Sequence, residues 1–192
     1  MKAMIIDNLG FSSHNIAYEF EKRGCGVLVC RNSLELKIFD SIIKDFKPDI
    51  IVFSSGPGAP RDAGNVISII RGYHKKIPMF GIGLGCHCIL EAFDGKVSRS
   101  TETAHAKQSK ISHDSSAIFK GLPNPFKAGR YDSLAASDVP YCFEISARND
   151  KGAVMSIKHK EFPIAGVQFH PESMLTPLGY KIIDNVINEL AK

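Results

Sequence analysis

The sequence predicts an α/β protein: a doubly wound, mostly parallel central sheet flanked by helices. Two observations carry this. Between residues 3 and 95, short apolar runs of strand length alternate with segments of helical period, in the order β-α-β-α-β-α-β-α. Each crossover between such strands is right-handed by rule, which places helices on both faces of a parallel sheet. Ligands of these folds bind outside the carboxyl ends of the strands. Two glycine-rich loops leave strand ends there, "SSGPGAP" (54–60) and "GIGLGCH" (81–87).

The elements follow in order. "AMIIDN" (3–8) is an apolar run closed by an Asp-Asn turn signal. "SSHNIAYEFEKRG" (12–24) sets Ile16, Ala17 and Phe20 on one helical face and stops at Gly24. "CGVLVCRN" (25–32) is the second strand, and "SLELKIFDSIIKDFKP" (33–48) a helix closed by Pro48. "DIIVFSSGPG" (49–58) is a strand running into a glycine-proline loop, and "AGNVISIIRGYHKK" (63–76) is helical. "IPMFGIG" (77–83) is a buried strand, and "LGCHCILEAFDG" (84–95) a helix ending at Gly95.

The second half is less regular. Residues 96–114 read as short strands with turns, and "YCFEISARND" (141–150), "GAVMSIKHK" (152–160) and "PIAGVQFHPE" (163–172) alternate like strands. Together they predict an antiparallel portion added to the parallel sheet. "PLGYKIIDNVINELAK" (177–192) is a closing amphipathic helix with Ile182, Ile183, Val186, Ile187 and Leu190 on its core face. No linker rich in Gly, Ser or Pro divides the chain, so one domain over 1–192 is expected.

Composition narrows the function. A net charge of +4 with scattered basic residues does not suggest nucleic acid as a partner. The chain has no run of about 18 apolar residues, so no membrane span is expected. "MKAMIIDNLG" turns polar too early for a signal peptide. Five cysteines, an odd number without a disulfide framework, fit free thiols in a reducing cytoplasm.

Four constellations could carry chemistry. In "SSGPGAP", Gly56, Pro57 and Gly58 let the backbone approach a ligand and turn N–H groups toward it; an ordinary tight turn would read the same. "GIGLG" places small residues two before and two after position 83, the arrangement of a nucleophile elbow at a helix N-terminus. Yet Gly83 itself cannot attack anything. "GVQFHPES" (166–173) ends a strand on His170, with Glu172 two residues on, as in a base oriented by a carboxylate; a surface His near a surface Glu is the bland alternative. "CHC" (86–88) lacks a second ligand pair at zinc spacing, so buried thiols are expected and no metal site.

Taken together, these blocks make the chain resemble the triad-type class I glutamine amidotransferases. Within them it is similar to the glutaminase subunits of anthranilate synthase and aminodeoxychorismate synthase. "IIDN", "SSGPGAPRDAG", "PMFGIGLG", "HAKQSKISHD", "RYDSL" and "GVQFHPESMLTPLGYKIIDNVI" fall in family order from residue 3 to the C-terminus. The resemblance implies a flavodoxin-like fold and no cofactor. It implies hydrolysis of glutamine, with ammonia passed to a large chorismate-binding synthase partner, as in tryptophan biosynthesis. It makes His170 the base and Glu172 its orienter. Gly56, Pro57 and Gly58 would line the glutamine site, with a loop N–H and that of Leu84 forming the oxyanion hole. Ser133 and Leu134 would hold the backbone groups of glutamine.

The sequence departs from the family where it matters. The family elbow reads Gly-X-Cys-X-Gly-His-Gln; here it reads Gly81-Ile82-Gly83-Leu84-Gly85-Cys86-His87. Gly83 stands at the nucleophile position, and His87 where a glutamine contacts substrate. Gly10-Phe11-Ser12 replaces an Asp-Ser-Phe stretch, His105-Ala106-Lys107 a His-Gly-Lys, and Asp132 the His of Arg-Tyr-His-Ser-Leu. A residue three places along a helix lies about 4.5 Å up its axis and roughly 60° round, so Cys86 is poorly placed to substitute. A non-glycine elbow residue costs about 1–3 kcal/mol in strain, which glycine relieves while removing the chemistry.

Three readings follow: an amidotransferase subunit with glutaminase activity lost or impaired, a catalytically inactive binding or regulatory subunit of an ammonia-dependent synthase, and an enzyme using His170 and Glu172 without a thiol.

Overall fold

The computed structural model describes residues 1–191. Its first half contains β1 (Lys2–Asp7), α1 (Ser13–Glu21), β2 (Gly26–Arg31), α2 (Leu36–Phe46), β3 (Ile50–Phe53), α3 (Val66–Tyr73), β4 (Met79–Ile82) and α4 (Leu84–Ala92). The second half adds β5 (Lys96–Arg99), β6 (Lys107–His113), β7 (Phe126–Arg130), β8 (Leu134–Asp138), β9 (Phe143–Asn149), β10 (Val154–His159), β11 (Ile164–Val167) and α5 (Gly179–Asn185).

The main sheet has nine strands in the order β2-β1-β3-β4-β11-β10-β9-β6-β7. The first five run parallel, and with β11 as the fifth parallel strand they follow the 2-1-3-4-5 order of flavodoxin-like sheets. From β11 onward the pairings are antiparallel. A separate antiparallel pair, β5 with β8, completes the predicted antiparallel portion.

Strand periodicity divides the core into two layers. Ala3 and Ile5 of β1, Ile50 and Val52 of β3, and Phe80 and Ile82 of β4 face one side, where Ile16 and Phe20 of α1 and Ile182 and Ile183 of α5 cover them. Met4, Ile6, Ile51, Phe53 and Met79 face the other, under Phe39 of α2, Ile69 and Ile70 of α3, and Ile89 of α4. Full burial of each such side chain contributes about 1.5–3 kcal/mol before ordering costs.

The structure differs from the sequence reading in three places. β7 and β8 are strands that their composition does not predict: "FKAGR" and "LAASD" are rich in Ala, Gly and Asp, which are poor strand formers, and only neighbouring strands hold them extended. The strand expected over 163–172 ends at Val167, so Gln168–His170 leave the sheet toward its carboxyl edge. The closing helix is α-helical only through Asn185 and continues as a π-turn over Val186–Leu190; Lys192, the last residue expected in it, lies outside the described residues.

Candidate functional site

The carboxyl ends of β3, β4 and β11 converge on one cleft. An open cavity of about 170 Å³ is lined there by Ser55, Gly56, Pro57, Gly58, Gly83, Leu84, His87, Tyr131, Asp132, Ser133, Leu134, Gln168 and His170. Every residue that the sequence proposed for a substrate-contacting role borders it. Glu172 stands behind His170.

The elbow is built by close packing. Gly83 adopts φ 55°, ψ −113°, between the end of β4 and the first turn of α4. A Cβ on Gly81 would come within 2.6 Å of the Gly85 backbone, and one on Gly85 within 2.2 Å of the Phe53 carbonyl oxygen. The small residues flanking the elbow are therefore required by contact with the next turn and with β3. Gly83 N–H donates to the Val167 carbonyl at 2.8 Å, which ties the elbow to β11. The first N–H groups of α4, beginning at Leu84, have no partner within the helix, and Gly83 and Leu84 line the cleft.

His170 is fixed from several sides. Its Nδ1 lies 2.7 Å from Glu172 Oε1, and both side chains are almost wholly shielded from solvent. Its backbone N–H donates to the Gly129 carbonyl at 3.0 Å. Thr176 Oγ1 donates to the His170 carbonyl at 2.6 Å and accepts from the Gly129 N–H at 2.9 Å. Phe11 stacks on the imidazole at 5.8 Å, and Tyr131 meets it edge-on at 4.9 Å. Held this way, the ring turns Nε2 to position 83: a Cβ built on Gly83 would lie 3.4 Å from it.

The cysteines after the elbow point elsewhere. Cys86 is buried against Gly166 of β11, and burial pushes its thiol up to about 12. Cys88 is buried in the core, and its pKa is raised first by burial, then by Glu91 and Cys86. A thiol in such surroundings stays protonated and is a poor nucleophile. His87, between them, instead faces the cleft and pairs its Nε2 with Gln168 Oε1. Burial lowers its pKa, against the opposing effects of Gln168 and Asp132. Cys86 and Cys88 are thus buried in the core while His87 lines the cleft.

Several residues of the site escape a reading of the sequence. Gln168 lines the same cleft as His170 beyond the end of β11, and its Nε2 donates to the Leu134 carbonyl at 3.3 Å. Asp132, read from the sequence only as a departure from Arg-Tyr-His-Ser-Leu, forms a bidentate pair with the buried guanidinium of Arg130, at 2.9 and 2.8 Å. Thr176, which the sequence marks only as part of a motif, clamps the His170 backbone. Ser55, half-buried at the end of β3, sets its Oγ 2.6 Å from the place a Gly83 Cβ would take. No local sequence signal marks that proximity.

The chain matches the family model for glutamine amidotransferase class-I over residues 4–190. It is 42% identical to anthranilate synthase component 2 of Methanocaldococcus jannaschii, over 97% of this chain and 96% of that protein. It is 37% identical to aminodeoxychorismate/anthranilate synthase component 2 of Bacillus subtilis (98% and 97% covered) and 37% identical to aminodeoxychorismate synthase component 2 of Escherichia coli (96% and 98%). Among solved structures, a glutamine amidotransferase of Thermotoga maritima superposes with a TM-score of 0.81 at 12% identity, covering 100% of this chain and 98% of that one. A Thermoplasma acidophilum protein assigned to GMP synthase superposes with 0.86 at 24% identity (100% and 94%). These two likenesses concern the fold alone.

Proposed function

Because the chain belongs to the class-I glutamine amidotransferase family, we propose that it is the glutamine-binding subunit of a two-component synthase that aminates chorismate, with its glutaminase activity lost or impaired. The observation that carries this reading is the His170–Glu172 pair facing a nucleophile elbow that has no side chain.

In this reading glutamine lies in the cleft along Gly56–Gly58, with Ser133 and Leu134 at its backbone groups and His87 beside its side chain. The amide oxygen points to the N–H of Leu84 and to a loop N–H, which stabilise the charge of a tetrahedral intermediate. His170 Nε2 is placed to take a proton from a nucleophile and return it to departing ammonia, while Glu172 holds the imidazole in the required tautomer. The relatives' names, each a component 2, support a large synthase chain as partner. No cofactor is required by this chemistry.

The test is glutamate release from glutamine by the unmodified chain and by Gly83→Cys, each with the synthase partner present. Turnover that is robust only in the variant supports an intact pocket missing its nucleophile. Robust thiol-dependent turnover by the unmodified chain would overturn the impairment.

A second reading, a catalytically inactive subunit that stabilises or regulates a synthase using free ammonia, is favoured by the burial of both cysteines next to the elbow. Co-purification with a synthase chain that lacks glutamine-dependent activity would support it.

A further inference from the structure

The space a nucleophile's Cβ would take at position 83 is bordered by two polar side-chain atoms. His170 Nε2 lies 3.4 Å from that point and Ser55 Oγ 2.6 Å from it. Resting on the reading that the cleft binds glutamine, we propose that Ser55 supplies the nucleophilic hydroxyl of a residual Ser55–His170–Glu172 triad.

The placement is specific. Ser55 is half-buried and lines the same cleft as Gly83, Leu84 and His170. Its hydroxyl makes no hydrogen bond to another described residue. The neighbouring backbone is pinned: Ser54 Oγ donates to the Ser55 carbonyl at 3.0 Å, and Asn8 Nδ2 donates to the Ser54 carbonyl at 2.7 Å. One side-chain torsion therefore remains to bring Oγ toward Nε2, and hydrogen bonds of this kind often tighten only when substrate is bound. Glycine at position 83 leaves that path open. A Cβ there would meet both Oγ and, at 3.0 Å, the Cβ of Ser55.

The chemistry balances without a co-reactant other than water. Ser55 Oγ forms a bond to the side-chain amide carbon of glutamine while its proton passes to His170 Nε2. The carbon–nitrogen bond then breaks, and the nitrogen leaves as ammonia with that proton. Water, deprotonated by the same imidazole, hydrolyses the resulting ester and restores the serine. A hydroxyl without thiolate character makes this slow, consistent with an impaired enzyme.

The test uses the full chain and a glutamine analogue whose side-chain amide is replaced by a diazoketone, which alkylates a nearby activated hydroxyl with loss of nitrogen. The expected result is a covalent adduct mapped by mass spectrometry to Ser55, suppressed by glutamine and absent in Ser55→Ala and His170→Ala. Glutamate release should fall at least tenfold in Ser55→Ala. In Ser55→Cys it should persist and become sensitive to iodoacetamide, which a merely structural serine would not produce. If calorimetry shows glutamine binding, yet Ser55 is unlabelled and Ser55→Ala releases glutamate as the unmodified chain does, the triad is overturned while the glutamine site stands. An adduct confined to Cys86 or Cys88 would also overturn it. Absence of glutamine binding would overturn the glutamine site and the triad together.

Discussion

Glu172 Oε1 lies 2.7 Å from His170 Nδ1, and the remaining carboxylate oxygen, Oε2, is buried without a hydrogen-bond partner among the described residues. The carboxylate is thus committed to the imidazole. Replacing it by an amide keeps the shape but removes the negative charge that stabilises the imidazolium. In a Gly83→Cys background, Glu172→Gln should lower glutamate release by on the order of 10³–10⁴ while leaving glutamine affinity nearly unchanged. Steady-state kinetics alongside calorimetry separates the two effects; an equal loss of affinity would mean that Glu172 shapes the pocket instead.

Cys86 and Cys88 should be chemically silent in the folded chain. With its thiol pushed up to about 12, Cys86 is ionised in roughly one molecule in 10⁵ at neutral pH. Iodoacetamide should first label Cys142, the one described cysteine that is not buried. The pair beside the elbow should react only in denaturant. Peptide mapping across a denaturant series reads this directly, and early loss of either thiol in native buffer would contradict the assigned burial.

His87 and His159 both have pKa values lowered by burial. The unfolded chain therefore binds protons that the folded chain does not, in the window from the ordinary value near 6.5 down to the lowered values. Stability should be full above about pH 6.5 and fall as pH drops through that window. His87→Gln removes one titrating group and should flatten the acid limb, while the stability near pH 8 changes less. Chemical denaturation at several pH values checks it. A steeper acid limb in the variant would reverse the assignment.

The cleft is legible in the sequence because its signals are local. Apolar runs, glycine loops and "HPES" each announce themselves within ten residues, and the doubly wound order follows from their alternation. The features that stay hidden share a physical cause. β7 and β8 are extended because partners hold them, not because "FKAGR" and "LAASD" favour strands. Ser55 approaches Gly83 across 28 residues of chain only because β3 and β4 are adjacent parallel strands ending level with each other. His87 can be read as a departure from a motif, but its pairing with Gln168 depends on how β11 exits the sheet.

Arg130 and Asp132 form a deeply buried ion pair beside the site, with the Arg130 side chain 1% exposed. Asp132→Ala would leave that charge with the partly exposed Glu102 carboxylate at 3.4 Å and two long hydrogen bonds, to Ser109 Oγ and the Glu102 carbonyl, each at 3.3 Å. An uncompensated buried charge costs about 3–5 kcal/mol, and the residual Glu102 contact places the expected loss near the lower end. Arg130→Met with Asp132→Leu should recover much of it. Urea denaturation of the three variants tests both statements, and a double variant no more stable than Asp132→Ala would show that the pair does more than satisfy itself.

Ser55 has opposite expected effects in two backgrounds, and this separates its chemical from its steric role. In the unmodified chain, Ser55→Ala removes the proposed hydroxyl and lowers residual turnover. In the Gly83→Cys background the thiol is the nucleophile, and the serine only crowds it: the new Cβ would sit 2.6 Å from Oγ at a backbone of φ +55°, which already costs a non-glycine residue about 1–3 kcal/mol. The unpartnered hydroxyl can rotate aside and Ser55 Cβ stays 3.0 Å from the new Cβ, so removing Oγ relieves part of the crowding and should raise turnover of the double variant about two- to threefold over Gly83→Cys alone. A four-way comparison of kcat for glutamate release reads the sign in each background. A fall in both would give Ser55 a role in substrate binding common to them. No change in either would show that the hydroxyl neither attacks nor obstructs.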